Sequence, residues 1–163
     1  MIAARAKTSS IPEQPAQAGA PARILGVDYG RKRIGLALSD EMGLTARPLA
    51  TLVRENRQSD VRRLREICRR HGVKRIVVGH PLHMSGEAGP MANEVARFAG
   101  RLFKELTIPV DLQDERLTSW EAKQMAAETK SSSRRKRGSI DDLAATVLLR
   151  EYLERKRAEE KRG

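Results

Sequence analysis

The stretch ILGVDYGRKRIGLAL, residues 24–38, decides which architecture the rest of the chain can form. Its first half is an apolar run that ends at Asp28, a turn follows at residues 30–32, and a second apolar run covers residues 34–38. Two short apolar runs joined by a tight turn are typical of an antiparallel strand pair. We therefore expect the Asp28 carboxylate at an edge of a sheet, where loops open and ligands bind.

Three further strands are predicted by short apolar segments downstream. They cover residues 49–53, which follow the chain breaker Pro48, then residues 75–79 and residues 110–113. The segment 75–79 contains Ile-Val-Val, a short unbroken apolar run that leads into Gly79, as expected for a strand buried on both faces.

Four helices are predicted by apolar side chains that recur at spacings of three and four residues. The first ends at Gly72, where a C-terminal cap belongs, and the third begins with a capping box at Thr118 and Glu121. The last runs from Ser139 to about Arg157. The apolar stripes of the four helices are Val61, Leu64, Ile67 and Cys68; Met91, Val95, Phe98, Ala99, Leu102 and Leu106; Trp120 and Met125; and Ile140, Leu143, Ala144 and Val147.

This order of elements predicts an α/β fold, a mixed five-stranded sheet with helices on both faces. A length of 163 residues suits one domain with one core. Residues 1–22, rich in Ala, Pro, Gln, Ser and Gly, are expected to form a disordered tail. Residues 23–157 then form the folded domain, and residues 158–163 a charged C-terminal tail.

Composition narrows the class of protein. No apolar run approaches the roughly 20 residues of a membrane helix, and residues 1–22 lack the apolar core of a signal peptide. The single cysteine, Cys68, lies on the apolar face of its helix, so we interpret it as a small buried side chain rather than a nucleophile. A cytoplasmic location without membrane contact is expected.

Charge points to a polyanionic partner. Lys and Arg number 32 against 21 acids, which gives a formal net charge of +11. Residues 60–75 carry seven bases and two acids, and residues 130–137 carry five bases and no acid. Residues 76–129 have five bases and eight acids, so a basic surface surrounds an acidic segment. This pattern suits a protein that binds phosphates and a divalent metal, although the arginines of residues 60–75 would equally solvate a helix face.

Acidic residues recur where predicted elements begin or end. Asp28 ends the first strand, Asp114 and Glu115 follow the fifth, and Asp141 and Asp142 lie in the first turn of the last helix. Each has a structural explanation alone, such as stabilising a helix N-terminus. Two carboxylates about 4 Å apart would repel by about 4 kcal/mol at an effective dielectric constant near 20, so a convergent set requires a cation. Oxygen ligands favour Mg²⁺ or Mn²⁺, and such sites usually serve phosphoryl transfer.

Five segments in a fixed order resemble one known family. GVDYG (26–30), RIGLA (33–37), VVGHPL (77–82), DERLT (114–118) and IDDLAA (140–145) are similar to the YqgF (RuvX) family of pre-16S rRNA nucleases, also called Holliday junction resolvase-like proteins. The resemblance implies a ribonuclease H-like fold. It also implies a two-metal endonuclease that uses Mg²⁺ or Mn²⁺ and processes the 5′ end of pre-16S ribosomal RNA, within a ribosomal subunit precursor.

The resemblance also assigns residues. By position, Asp28, Glu115 and Asp141 match the family's acidic residues and are the expected catalytic metal ligands, while Asp114 and Asp142 stay open as alternatives to the last two. Histidines at positions 80 and 83 replace the family's usual Leu and Asn and receive no role. The bases expected to contact nucleic-acid phosphates are Arg31, Lys32, Arg33, Arg116, Arg134, Arg135, Lys136 and Arg137.

Other functions remain as alternatives. The segment Asp28–Gly30 with Gly35 also resembles the first phosphate loop of actin-like and sugar-kinase ATPases, but those enzymes need two such domains, for which this chain has no room. A branched-DNA resolvase fits the same residues, because RNA and DNA both offer phosphates and no base-reading module is present. A non-catalytic, ribosome-associated RNA-binding factor is the third alternative. Whether the chain acts as a monomer or a homodimer stays open.

Overall fold

The computed structural model describes residues 22–117 and 139–163, without the side chains at positions 117 and 139–141. Three expectations therefore lie outside the described residues: the N-terminal tail, the helix that carries Trp120 and Met125, and the basic loop 130–137.

The sheet has five strands in the order β3-β2-β1-β4-β5. The strands are β1 (Arg23–Tyr29), β2 (Arg33–Ser39), β3 (Ala46–Val53), β4 (Val73–His80) and β5 (Val110–Asp114). The first three pair antiparallel, whereas β1 with β4 and β4 with β5 pair parallel. The prediction of a mixed five-stranded sheet is confirmed.

Within the described part of the chain, three helices cover the two faces of the sheet: α1 (Arg57–His71), α2 (Pro90–Leu106) and α3 (Ser139–Arg162). Asn56 caps the N-terminus of α1, where its side chain accepts a hydrogen bond from the Ser59 amide at 2.8 Å. Gly72 ends α1 in the left-handed conformation, with φ of 65°, as its position in the sequence predicted. None of the described helices is long and apolar enough to cross a membrane.

The larger core lies between the sheet and the helices α1 and α2. Leu25 and Val27 of β1 are fully buried there, beside Leu64 of α1 and Val95 of α2. This burial confirms the apolar stripes predicted for the two helices as core. Each fully buried side chain of this kind contributes about 1.5–3 kcal/mol to stability through its removal from water. Cys68 belongs to this core, and burial raises the pKa of its thiol to about 11.

A second, smaller core lies under α3 on the opposite face. It comprises Ala37 and Val77 from the sheet with Ala145, Leu149, Tyr152 and Leu153 from the helix. The inward face expected for α3 was wrong, because Leu143, Ala144 and Val147 are only partly buried. The segment 143–149 is apolar almost all round, so helical periodicity within it cannot choose a face. Tyr152 and Leu153 extend the stripe that is buried.

Two predicted boundaries were also wrong. β3 begins at Ala46 and contains Pro48, which was expected to precede the strand. An edge strand accepts a proline at a bulge, and the register of β2 with β3 shifts between Leu36 and Ala37, the residue opposite Pro48. The helix α3 continues to Arg162, so most of the expected tail 158–163 is its last turn and a half.

Candidate active site

Asp28 lies near the C-terminal end of β1 and faces α3. Gly26, two residues earlier on the same face, approaches α3 so closely that a Cβ atom there would stand 2.9 Å from Leu149 Cβ and 3.1 Å from the Ala145 carbonyl oxygen. Side chains alternate along a strand, so Asp28 shares the face of Gly26. Its neighbour Tyr29 is buried on the other face.

The Glu115 carboxylate lies directly over Gly79, at the end of β4. A Cβ atom at Gly79 would stand 2.6 Å from Glu115 Oε1 and 3.3 Å from Leu148 Cδ2 of α3. The carboxylate therefore occupies space that any other residue at position 79 would fill. Because Val27 pairs with Val78 in the parallel register, Gly79 is the next residue beside Asp28. Glu115 follows β5, but its carboxylate thus lies over β4, the strand next to Asp28, on the α3 face.

Asp114 is engaged differently from Glu115. Arg116 donates to its carboxylate from Nη2 at 2.6 Å, from Nε at 3.0 Å and from the backbone amide at 2.9 Å. The hydrogen bonds from Arg116 hold the pKa of Asp114 below its usual value. The two acids left as alternatives by the sequence therefore differ in environment: Asp114 forms an internal ion pair, and Glu115 reaches over the sheet.

The first turn of α3 approaches the same edge of the sheet. Tyr152 lines a cavity with Ile24 at the start of β1, and Ala145 packs on Gly26 farther along that strand. Continuing toward its N-terminus, α3 therefore runs toward the Asp28 end of β1. The buried Ala145 confirms that a small residue lets the helix lie close to the sheet. The side chain of Asp141 lies outside the described part of the structure.

Asp142, His80 at the end of β4 and His83 in the following loop are the remaining acid and imidazole groups near this edge. Asp142 is half-buried, and its carbonyl accepts a hydrogen bond from Thr146 Oγ1 at 2.6 Å. His80 stands opposite Asp114 in the register of β4 with β5. The His83 backbone bonds to Glu87 and Gly86. Among side chains that the structure describes, no group of three His, Cys, Asp or Glu residues is placed to hold a metal ion.

Sequence analysis missed Arg54, which fixes the turn after β1. Its guanidinium lies 4.4 Å from the centre of the Tyr29 ring and donates to the carbonyl oxygens of Gly30 and Arg31, each at 3.2 Å. Its Nε donates to the buried carboxylate of Asp60 at 3.3 Å. The position of Arg54, just past a strand end, carries no pattern that would have identified this role.

Tyr29 continues this network on the α2 side. Its hydroxyl donates to Glu94 Oε1 at 3.0 Å, and burial together with this carboxylate raises the pKa of Tyr29. The network holds the turn between β1 and β2, where Arg31, Lys32 and Arg33, the first residue of β2, are all exposed.

The predicted phosphate-binding bases fall into three groups. The bases at positions 31–33 are exposed beside Asp28. Arg116 forms an ion pair with Asp114 and donates to the Met84 carbonyl oxygen. The bases at positions 134–137 lie outside the described residues. The described edge thus presents carboxylates that suit a cation next to bases that suit phosphates.

Comparisons with known proteins match most of the chain. The family model described as "RuvX: Holliday junction resolvase" matches residues 22–155. A Moorella thermoacetica protein named "Putative pre-16S rRNA nuclease" is 47% identical over 133 residues, which is 82% of this chain and 95% of that protein. A Syntrophus aciditrophicus protein of the same name is 45% identical over 132 residues, covering 81% of this chain and 88% of its own.

Solved structures show the same architecture at low identity. Thermus thermophilus RuvC in complex with a Holliday junction has a TM-score of 0.57 at 16% identity, covering 83% of this chain and 96% of that one. The fowlpox virus resolvase with Holliday junction DNA has a TM-score of 0.51 at 16% identity, covering 82% and 98%. These likenesses concern the fold alone and confirm the ribonuclease H-like expectation.

Proposed function

The chain belongs to the RuvX family, and on that premise we propose that it is a metal-dependent endonuclease that hydrolyses phosphodiester bonds, with pre-16S ribosomal RNA as substrate. The observation that carries the proposal is the position of the Glu115 carboxylate over Gly79, on the same face as Asp28 and one strand away. The names of the relatives support the RNA substrate, and we propose that it is cleaved within a ribosomal subunit precursor.

The residues present fit a divalent cation. Gly79 leaves room above the sheet for a carboxylate, and the donors on offer are carboxylate oxygens, which hard cations such as Mg²⁺ and Mn²⁺ prefer. We assign Asp28, Glu115 and Asp141 as the residues that would hold it. A divalent cation bound there supplies Lewis-acid chemistry to the scissile phosphodiester and offsets the repulsion between the carboxylates.

The chain's other residues bind and orient the substrate. Arg31, Lys32 and Arg33 project from the turn next to Asp28, where they can hold the phosphates that flank the scissile bond. Arg54 fixes the backbone of that turn, so it acts as a positioning residue. The reduced, buried Cys68 suits the cytoplasm, where we expect the reaction to take place.

The test compares the wild-type protein with Asp28→Asn on a labelled RNA that spans the 5′ end of pre-16S rRNA. We expect cleavage with Mg²⁺ or Mn²⁺ and none with EDTA. The variant loses one charged ligand, so cleavage should fall by about 100-fold or more, together with the thermal stabilisation that Mn²⁺ gives the wild type. The matched control, Glu159→Gln, removes an exposed acid from the far end of α3.

Two results would change the assignment. Full cleavage by a folded Asp28→Asn protein would remove Asp28 from the site. A four-way DNA junction cut in the same assay at a higher rate than the RNA would replace the proposed substrate by branched DNA.

A further inference from the structure

The helix layer opposite α3 carries an unbalanced charge. α1 has six bases and two acids and α2 has three bases and two acids, whereas α3 has six of each. On α3, acids such as Glu159 pair with bases three and four residues away, which shows how this chain solvates a helix with mixed charge. Solvation alone therefore does not account for the excess on α1 and α2.

Of the four acids on these two helices, one is buried and another bonds to a core residue. Asp60 is fully buried and is bound by Arg63 at 2.6 Å and by Arg54 at 3.3 Å. Glu94 accepts the hydrogen bond from Tyr29. Asp60 thus contributes no exposed negative charge, and its ion pair engages Arg63, which is one of the six bases of α1.

Four of the nine bases, one from α1 and all three from α2, line a groove between the two helices. It has a volume of about 450 Å³ and is lined by Arg57, Arg97, Gly100, Arg101, Lys104 and Glu105. Glu105 is the one acid among these residues, and it lies 3.4 Å from Arg101. Nothing lies within 4 Å of the position that a Cβ atom of Gly100 would take, so the floor of the groove is open.

The groove starts close to the candidate active site. Arg57 begins α1 three residues after Arg54, whose guanidinium lies 4.4 Å from the centre of the Tyr29 ring, and Tyr29 directly follows Asp28 in the chain. From there the bases follow α2 away from the edge of the sheet. Arg97 and Lys104 are about 10 Å apart along the axis, given a rise of about 1.5 Å per residue. A nucleic-acid strand that leaves the candidate active site and passes Tyr29 would enter this groove.

The surface chemistry selects a nucleic-acid backbone over a protein. Three of the four bases are arginines, whose planar guanidinium groups bind phosphate with two parallel hydrogen bonds. Protein interfaces have apolar or aromatic centres. Among the described residues, the large apolar side chains that are exposed lie outside both helices: Met42, Leu44, Val53, Met84 and Leu112.

We propose that the groove between α1 and α2 is a second nucleic-acid site, which binds backbone phosphates of the RNA segment next to the cleaved one. This inference rests on the proposed function, because it takes the RNA to be a substrate held at the Asp28 edge. The groove lies on the opposite face of the sheet from Glu115, so its residues bind the substrate without taking part in the chemistry.

The test measures binding of a fluorescent pre-16S RNA fragment in EDTA, where no cleavage occurs, across a range of KCl concentrations. The variant is Arg97→Gln, Arg101→Gln and Lys104→Gln together, since glutamine keeps helix propensity. The matched control, Arg150→Gln, Lys161→Gln and Arg162→Gln, removes the same charge from exposed positions of α3. Circular dichroism and thermal unfolding verify that both proteins fold.

Three lost phosphate contacts should reduce the slope of log affinity against log salt by about 2 and weaken binding at 0.1 M KCl by about 10- to 100-fold. The control should retain the wild-type slope. If the triple variant does not fold, Lys104→Gln alone should reduce the slope by about 0.7.

An unchanged slope, or an equal loss in the control, would overturn the proposal. So would a variant that binds RNA normally but loses affinity for poly-L-glutamate, because the groove would then serve an acidic polypeptide. Cleavage by the wild type is measured separately, so the failure of the groove and the failure of the nuclease assignment give different results.

Discussion

Replacing Gly79 by alanine tests whether the Glu115 carboxylate has a function where it lies. The added methyl group would stand 2.6 Å from Glu115 Oε1, whereas ordinary van der Waals contact starts at 3.4 Å. The carboxylate must therefore move by about 0.8 Å, since the end of a flexible side chain yields more easily than the strand beneath it. Functional constellations tolerate errors of about 0.5 Å, so this displacement exceeds the tolerance of a metal site.

The second contact of the methyl group is milder. Leu148 Cδ2 would lie 3.3 Å away and needs to give by only about a tenth of an ångström. We expect the free energy of unfolding to fall by less than about 1.5 kcal/mol, at the low end for an added core methyl group. Mn²⁺ affinity, by contrast, should fall by about 10-fold or more, and cleavage of the RNA should fall with it.

A double-mutant cycle makes this prediction specific to Glu115. Calorimetric titration with Mn²⁺ and urea unfolding are measured for Gly79→Ala, Glu115→Gln and the double variant. If the methyl group acts by displacing the carboxylate, the loss in the double variant should match that of Glu115→Gln alone. Wild-type Mn²⁺ affinity in folded Gly79→Ala would refute the reasoning, and strictly additive losses would show that Gly79 acts by another route.

Three other substitutions test the packing and the charge. Ala145→Leu should overpack the contact of α3 with Gly26, lowering the free energy of unfolding by about 1–3 kcal/mol and weakening Mn²⁺ binding; unchanged values in urea unfolding and titration would show that α3 does not pack there. Gly100→Ala fills open space inside α2 and should raise the free energy of unfolding by about 0.4–1 kcal/mol, read from the urea midpoint, and a lower midpoint would contradict the open geometry. Replacing Arg134, Arg135, Lys136 and Arg137 by serine should weaken RNA binding and reduce the slope of log affinity against log salt by up to about 0.7 per residue. An unaltered slope would mean that these bases are only solvated.

The sequence predicted correctly those elements whose apolar pattern is compatible with only one buried face. The run that ends at Asp28 and the stripes of α1 and α2 each have a clear apolar face, so strands, helices and their core residues were correct. For α3 the pattern was ambiguous, because apolar residues surround the segment 143–149, and only contact with the sheet selects Ala145 and Leu149.

For the candidate site, the sequence could predict where the acidic residues lie along the chain but not which residues they contact. The sequence placed Asp28 and Glu115 at element ends, but it could not show that Gly79 makes room for the carboxylate or that Arg116 engages Asp114. Arg54 could not have been found, because its bonds to Gly30 and Arg31 join residues more than twenty positions apart. Such contacts depend on the register of three strands, which no local pattern specifies.

The proline in β3 has a consequence for how copies of this protein meet in solution. β3 is an outermost strand, and an outermost strand offers unpaired backbone groups on which another chain can add a strand and begin to aggregate. Pro48 has no amide hydrogen to offer, the bulge beside it interrupts the regular spacing of the edge, and its neighbour Arg47 is exposed and charged. Proline, a bulge and a charged residue are features that disfavour the addition of a strand from another copy, so we expect this edge of the sheet to resist edge-to-edge association.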